Sequence, residues 1–364
     1  MNIEGLIDKI KDESGVPYID VICFKKHKCI YRYFSGNNIN GKEQLYMFSL
    51  SKILTATATM QLIERNLINL DDKVYKYLPE ISDAFVLNDG QKNIVGDKIT
   101  IRHLLTMTAG FDYDLCTPFM QELNKKSKGL AKLRDFISVF VKKPLSFEPG
   151  GKFQYSICHD ILACVIEVVS GKDFADYIKS EIFDKLEMNN SYFDNTESNV
   201  LDICTIDNNG KVVIDDDQSK GFLLSSRYQS GGAGLSSTVE DYIIFADALA
   251  CKGVACNGKK VLNEKSIKLL TTEQVSNITL ENNFTCVQGE DYGYGLGVRV
   301  RIKDTEWGLK KGEFGWDGAA GSYVLIDPLN EVSVFIGLHV RNWPIVFINK
   351  HIQIVEQIYN QFIK

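Results

Sequence analysis

The sequence predicts an α/β (α+β) chain: one antiparallel sheet built from both chain ends, flanked by terminal helices, with a large, mainly helical domain inserted between its two halves. Three observations predict it. The first 36 residues read as a helix followed by two strands, and a second strand pair lies near 323–338 with a helical stretch behind it. Between Ser49 and about Ala250, by contrast, the patterned segments are mostly helical. The expected division is residues 1–70 with 290–364 as the sheet domain and 71–289 as the helical domain, with a cleft between them.

Each element has its own signal. Ile3 to Ile10 carries helical apolar spacing, and Ile19–Phe24 and Cys29–Phe34 flank the polar turn Lys25-Lys26-His27-Lys28. Helical patterns follow at Ser51–Asn66, Ile101–Met107, Leu133–Val141, His159–Val169, Phe174–Leu186 and Val239–Leu249. Thr100 stands before Ile101 as a cap, and Thr238-Val239-Glu240-Asp241 fits the acidic form of a capping box. Tyr323–Ile326 and Val332–Leu338 are strand-like runs around Asp327-Pro328-Leu329-Asn330, and a last helix is expected from about Ile345 to Phe362. Segment 84–98 and the stretch from Glu187 to Gln229 read as loops bordering the cleft.

Composition narrows the function classes. The 364 residues are 45% hydrophobic and 24% charged, so the apolar material suffices for a sizeable core. A net charge of −6 with no long run of Lys or Arg lacks the footprint that nucleic-acid binding requires. The longest apolar runs, Ile161–Ile166 and Val332–Val340, fall far short of the roughly 20 residues of a bilayer span. Nine scattered Cys without CxxC pairs read as small buried hydrophobes in a reducing compartment, and the charged beginning of the chain lacks a secretory pattern. A cytoplasmic location is the expectation. None of the five His has metal-ligand spacing, so neither a metal nor a cofactor is expected.

Three segments could carry chemistry. Ser49-Leu50-Ser51-Lys52 is the one Ser-x-x-Lys in the chain and opens an apolar helix, where residues three apart share a face and the helix N-terminus favours developing negative charge. Taken alone it also fits a polar helix start with a surface Lys. Tyr155 stands just before a helix, where a phenol can project into a cleft as a proton shuttle or simply pack against its own helix. Gly315-Trp316-Asp317-Gly318-Ala319-Ala320-Gly321-Ser322 runs into the strand at Tyr323; such glycines admit a ligand to the backbone, or mark a turn.

The order of these segments, together with Leu70-Asp71-Asp72-Lys73-Val74, Tyr77-Leu78-Pro79-Glu80, Ile99–Thr106, Gly231-Gly232-Ala233-Gly234-Leu235 and Tyr292–Gly297, resembles the serine β-lactamase and penicillin-binding-protein superfamily in its class C-like branch. The resemblance implies a β-lactamase/transpeptidase-like fold with Ser49 as acylated nucleophile, Lys52 as its activating partner and Tyr155 as catalytic tyrosine. It also implies an oxyanion hole from the backbone N–H groups of Ser49 and Ala319.

Two departures from the family pattern bear on substrate. Ile157 stands where an Asn would hydrogen-bond an acylamino side chain, and Trp316-Asp317-Gly318 replaces Lys-Thr-Gly or His-Thr-Gly. A substrate carboxylate would meet an indole and, were Asp317 to face inward, a repelling charge, unless Arg341, Lys310 or Lys311 compensates. These substitutions resemble the carboxylesterase members, so the expected substrate is a small acyl ester. A β-lactamase or D-alanyl-D-alanine carboxypeptidase/D-aminopeptidase acting on a lactam or short peptide stands second, and a non-catalytic penicillin-binding sensor or scaffold third. A class A deacylation pair is missing, since Met120 lies four residues before Asn124; no Gly-x-Ser-x-Gly occurs, and Cys158/His159 are neighbours pointing about 100° apart on a helix.

Overall fold

The computed structural model describes residues 2–36, 39–193, 200–215, 224–278, 280, 284 and 288–363. Parts of the expected loop stretch 187–229 (194–199 and 216–223) and Cys286 lie outside these residues. The main sheet is antiparallel, with strands β1 Tyr18–Lys25, β2 Lys28–Gly36, β3 Tyr292–Tyr294, β4 Arg299–Arg301, β5 Phe314–Asp317, β6 Tyr323–Asp327 and β7 Val332–Gly337 in the order β2-β1-β7-β6-β5-β4-β3. The early and late parts of the sequence meet at the β1–β7 seam, where Asp20 pairs with Gly337 and Lys25 with Val332.

Strand alternation sorts the side chains onto two faces. Ile19, Val21 and Cys23 of β1 join Tyr323 and Leu325 of β6 and Val334 and Ile336 of β7 on one face. That face is covered by helix α1 (Ile3–Ser14) through Ile3, Ile7 and Ile10, and by the helix near 350–358 through Ile354, Val355 and Ile358. Ile22, Phe314, Trp316, Val324, Ile326 and Phe335 point to the other face, into the larger core shared with the helical part.

Helix α2 (Ser51–Glu64) runs through that larger core and is buried on all sides from Ser51 to Leu62. Its Ala and Thr residues are small enough for neighbours to approach closely, and the Thr hydroxyls turn back to carbonyls: Thr59 donates to Thr55 at 2.8 Å, and Thr55 donates to Gly231 at 2.6 Å. Against α2 packs α3 (Cys158–Ser170), and α4 (Val239–Ala250) lies on β1, β6 and β7, its Thr238 cap accepting the Asp241 N–H at 3.0 Å.

Several expectations change. The pattern over Phe174–Leu186 is interrupted by a π-helical turn at Lys179–Phe183, and the final helix is split into Pro344–Phe347 and Lys350–Ile358 by Asn349, whose φ of 63° is left-handed. Segment 84–98 is not all loop: Phe85–Asn88 and Gln91–Ile94 pair around Asp89-Gly90, both at positive φ, the turn that tight hairpins favour. Cys29, Cys116 and Cys256 are exposed rather than buried. Among the described residues no helix is long and apolar enough to cross a membrane.

Candidate active site

Ser49 lies on a single 3₁₀ turn, Phe48–Leu50, that leads straight into α2. Phe48 holds φ at 46°, unusual for a bulky residue, and this bend turns the chain sharply ahead of the half-buried Ser49. The bend is tied down from both sides. Met47 N–H donates to Leu235 O at 2.9 Å, Ser51 Oγ donates to Phe48 O at 2.6 Å while accepting Leu235 N–H, and Tyr242 of α4 donates to Leu50 O at 2.9 Å.

Lys52, one turn along, is fully buried, so it is no surface Lys. Its Nζ stands 3.3 Å from Ser49 Oγ, 2.9 Å from the Tyr113 hydroxyl and 2.6 Å from Gly232 O. Burial lowers its pKa to about 7, against the opposing pull of Asp160, the strongest nearby negative charge. The Asp160 carboxyl is itself raised by burial and accepts a 2.6 Å bond from Ser230 Oγ. Gly232 makes this convergence possible: a Cβ there would stand 2.7 Å from Asp160 Oδ2 and 3.4 Å from both Lys52 Nζ and the Tyr113 oxygen. An amine near pKa 7 is partly neutral at physiological pH, with two N–H bonds and one lone pair. Gly232 O can only accept and the Tyr113 oxygen can accept, so both N–H bonds have partners and the lone pair is left for Ser49 Oγ.

Tyr155 completes the cluster. Its ring lies under Lys52 Nζ at 4.6 Å and stacks on Trp316, with centroids 5.4 Å apart and planes at 19°. Trp316 Nε1–H donates to the Tyr155 oxygen at 3.0 Å. Burial raises the Tyr155 pKa, opposed by hydrogen bonds from Ser49 and Trp316, so the phenol keeps its proton at neutral pH. Ser49, Lys52, Tyr155 and Trp316, four positions singled out in the sequence, therefore meet in one place.

The other expected positions divide. Gly318 is buried against the turn that precedes Ser49, because a Cβ there would come within 2.7 Å of Met47 O; its N–H is taken by Ser322 O at 2.7 Å, whereas Ala319 beside it is exposed. Asp317 faces away from Trp316, as adjacent strand residues must, toward Arg299, with Gln288 donating to its carboxylate. Its carboxylate therefore acts on Lys52 and Tyr155 through its charge across the strand and not by contact. Ile157 is buried and lines a small hollow with Phe111, Leu115 and Met120, so it packs within the helical part. Lys310 pairs with Asp304 at 3.1 Å, the Lys311 N–H bonds to Asp304, and Arg341 pairs with Asp215 at 3.4 Å. Cys158 and His159 diverge as expected: the Cys158 thiol meets Ser156, and the His159 ring lies against Gly297.

Tyr113 and Asp160 were missed. Asp160 stands five residues after Tyr155 on the first turn of α3, a spacing that carries it toward α2, but Tyr113 lies in an irregular segment with no motif around it.

Comparison with known proteins bears on the family and the fold. The chain matches the Beta-lactamase family over residues 3–344. Esterase EstB of Burkholderia gladioli is 33% identical over 156 residues, a stretch covering 41% of this chain and 38% of that protein. Among solved structures, EstCE1, a hydrolase with promiscuous acyltransferase activity, superposes with a TM-score of 0.77 at 22% identity, covering 98% of this chain and 97% of that one. Unliganded Simvastatin Synthase (LovD) from Aspergillus terreus gives 0.76 at 20% identity, covering 99% and 98%. The fold is thus the β-lactamase/transpeptidase-like one that the motifs implied. With the family match running through nearly the whole sequence and a half-buried Ser paired with a buried Lys beside a tyrosine, the chain belongs to the Beta-lactamase family of serine hydrolases.

Proposed function

We propose that this chain is a carboxylesterase acting on small acyl esters through an acyl-Ser49 intermediate. The observation that carries the reading is the Trp316 indole, stacked on Tyr155 and donating to its oxygen, where a cation would be needed to grip the carboxylate of a lactam or peptide. The absence of an Asn at Ile157 and the family's EstB relative point the same way.

In this reading Lys52 in its neutral form takes the Ser49 proton as Oγ attacks the ester carbonyl carbon. The charge developing on the carbonyl oxygen is met by the backbone N–H groups of Ser49 and Ala319, a pair of donors of which each is typically worth about 10²–10³ in rate. As the intermediate collapses, the proton passes from Lys52, with Tyr155 as relay, to the departing alcohol. The same groups then run in reverse: they accept a proton from water as it attacks the acyl carbon and return it to Ser49. The raised pKa of Tyr155 suits a phenol that hands on a proton rather than a standing phenolate. Residues 1–70 with 290–364 and residues 71–289 would be the two domains, the ester entering between them.

The test is a paired rate assay of the protein and Ser49→Ala on a short-chain p-nitrophenyl ester and a chromogenic cephalosporin. Ester turnover lost in the variant, with little cephalosporin hydrolysis, is the expected result. Faster Ser49-dependent turnover of the cephalosporin would overturn the esterase reading in favour of a β-lactamase. No Ser49-dependent activity on either would shift it to a peptide substrate or a sensor.

A further inference from the structure

Away from the catalytic cluster, the turn between β1 and β2 meets the end of α4. Lys26 and His27 form this turn, with φ of 52° and 65°, a two-residue left-handed bend that aims both the His27 backbone N–H and its imidazole the same way. Both reach Asp247: N–H to Oδ1 at 3.2 Å and Nδ1 to Oδ2 at 2.7 Å. One helical turn beyond Asp247, the Cys251 thiol stands 3.7 Å from Asp247 Oδ1. Asp247 and Cys251 are buried and His27 is half-buried, so the cluster has a single edge open to solvent.

Among the described residues this is the one group of three in which His, Cys and carboxylate donor atoms all lie within 4.8 Å of one another. An imidazole nitrogen, a carboxylate oxygen and a thiol sulfur are the donor set that zinc favours, at about 2.0–2.3 Å each. Tetrahedral bonds of that length set donors about 3.3–3.7 Å apart. The Asp247–Cys251 separation of 3.7 Å already matches, the His27–Asp247 pair at 2.7 Å has to open by roughly half an ångström, and the His27 and Cys251 donors lie within 4.8 Å of each other. The position adds a second reason. Cys251 directly follows the last residue of α4, so the negative end of the helix dipole points at the cluster and favours a cation there.

We propose that His27, Asp247 and Cys251 bind a zinc ion that clips the β1–β2 turn to the end of α4, with water in the fourth position at the open edge. The ion would displace the Cys251 thiol proton to solvent, while His27 would bind through Nδ1 as the neutral tautomer that keeps its one ring proton on Nε2, and no other bond changes. Burial raises the Cys251 thiol to about 12, so without metal it remains a protonated packing group. Nothing in this inference depends on the esterase reading.

The experiment is a Co²⁺ titration of the full chain, followed by Zn²⁺ competition, in the unaltered protein, Cys251→Ser and His27→Gln. The expected result is one equivalent of Co²⁺ giving a thiolate charge-transfer band with tetrahedral visible bands, displaced by Zn²⁺. The charge-transfer band should be lost in Cys251→Ser, and affinity should fall at least tenfold in His27→Gln. Zinc should raise the melting temperature of the unaltered protein alone. Absence of a thiolate band would overturn the proposal, as would a band undiminished in Cys251→Ser, which would assign binding to the exposed Cys29, Cys116 or Cys256. Should the serine variant fail to fold, unchanged affinity in His27→Gln, whose side chain lies at the surface edge, would overturn it equally.

Discussion

Lys52 and Arg299 are both fully buried cations, yet they stand on opposite faces of the sheet and in opposite electrostatic states. Burial lowers Lys52 to about 7; its direct partners are a carbonyl and two hydroxyls, and Asp160 acts on it mainly through its charge. Burial presses Arg299 the same way, but Tyr323, Glu313 and Tyr292 carry its pKa above the ordinary value. Its guanidinium meets Glu313 at 3.3 Å and Val324 O at 3.0 Å, with the Tyr323 ring 4.4 Å away. The difference teaches what burial does to a cation. With neutral oxygens in contact it yields a base poised near neutrality, and with a carboxylate in contact it yields a fixed charge inside the fold.

Breaking each partner set should therefore give opposite phenotypes. Lys52→Met should lower ester hydrolysis by at least about 10³-fold, because it removes the base that takes the Ser49 proton and Tyr155, held protonated, is a poor substitute, without lowering the melting temperature, since an apolar side chain of similar length avoids the burial cost. Steady-state kinetics and calorimetry on one preparation check both halves. Glu313→Gln should do the reverse, costing about 3–5 kcal/mol in denaturant unfolding by leaving Arg299 and Arg301 without their carboxylate, while the folded fraction keeps its turnover.

Smaller changes sharpen the contrast. Trp316→Phe retains the stacked ring but removes the donor to Tyr155, and about a tenfold fall in kcat is expected with stability nearly unchanged. The pH profile reads Lys52 itself. Activity should rise with pH through about 7 as Lys52 loses its proton, and Asp160→Asn should move that rise to lower pH, because the charge that holds the proton on Lys52 is gone. The negative groups acting on Lys52 in that comparison are Asp160 and, less strongly, Asp317; the nearby Cys158 thiol is kept protonated by burial. Stability should also climb with pH between about 7 and the ordinary 10.5. In that window the unfolded chain still protonates this lysine and the fold does not, a slope that Lys52→Met should remove from its urea midpoints. The smallest effect is expected at Lys310→Ala, whose partner is Asp304; ester and cephalosporin rates should both stay within twofold.

The legible parts of the molecule are those written in short periods. The β1–β2 and β6–β7 strand pairs, α1, α2 and the Thr238 cap follow from alternation, 3.6-residue spacing and capping chemistry, which are local. Ser49 and Lys52 share a helix face, and so their approach was readable as well. Tyr113, Gly232 and Asp160 reach Lys52 from three separate segments, and no pattern within any one of them encodes the meeting. The Asp317 question had an answer in strand parity: once Trp316 faces Tyr155, its neighbour must face Arg299. Ile157 differs, because a helix entry has no such parity, and only packing against Phe111 and Met120 shows where it points.

The β1–β7 seam also sets a timetable. Asp20 cannot find Gly337 until the whole intervening chain exists, and the strand that closes β1 on its second side leaves the ribosome only after the inserted helical region. Until then β1 and its partner β2 form a two-stranded ribbon with one apolar edge open, the kind of edge that pairs with strangers. This protein's hazard during synthesis is thus a wait, and its length is the time needed to translate the inserted helical region.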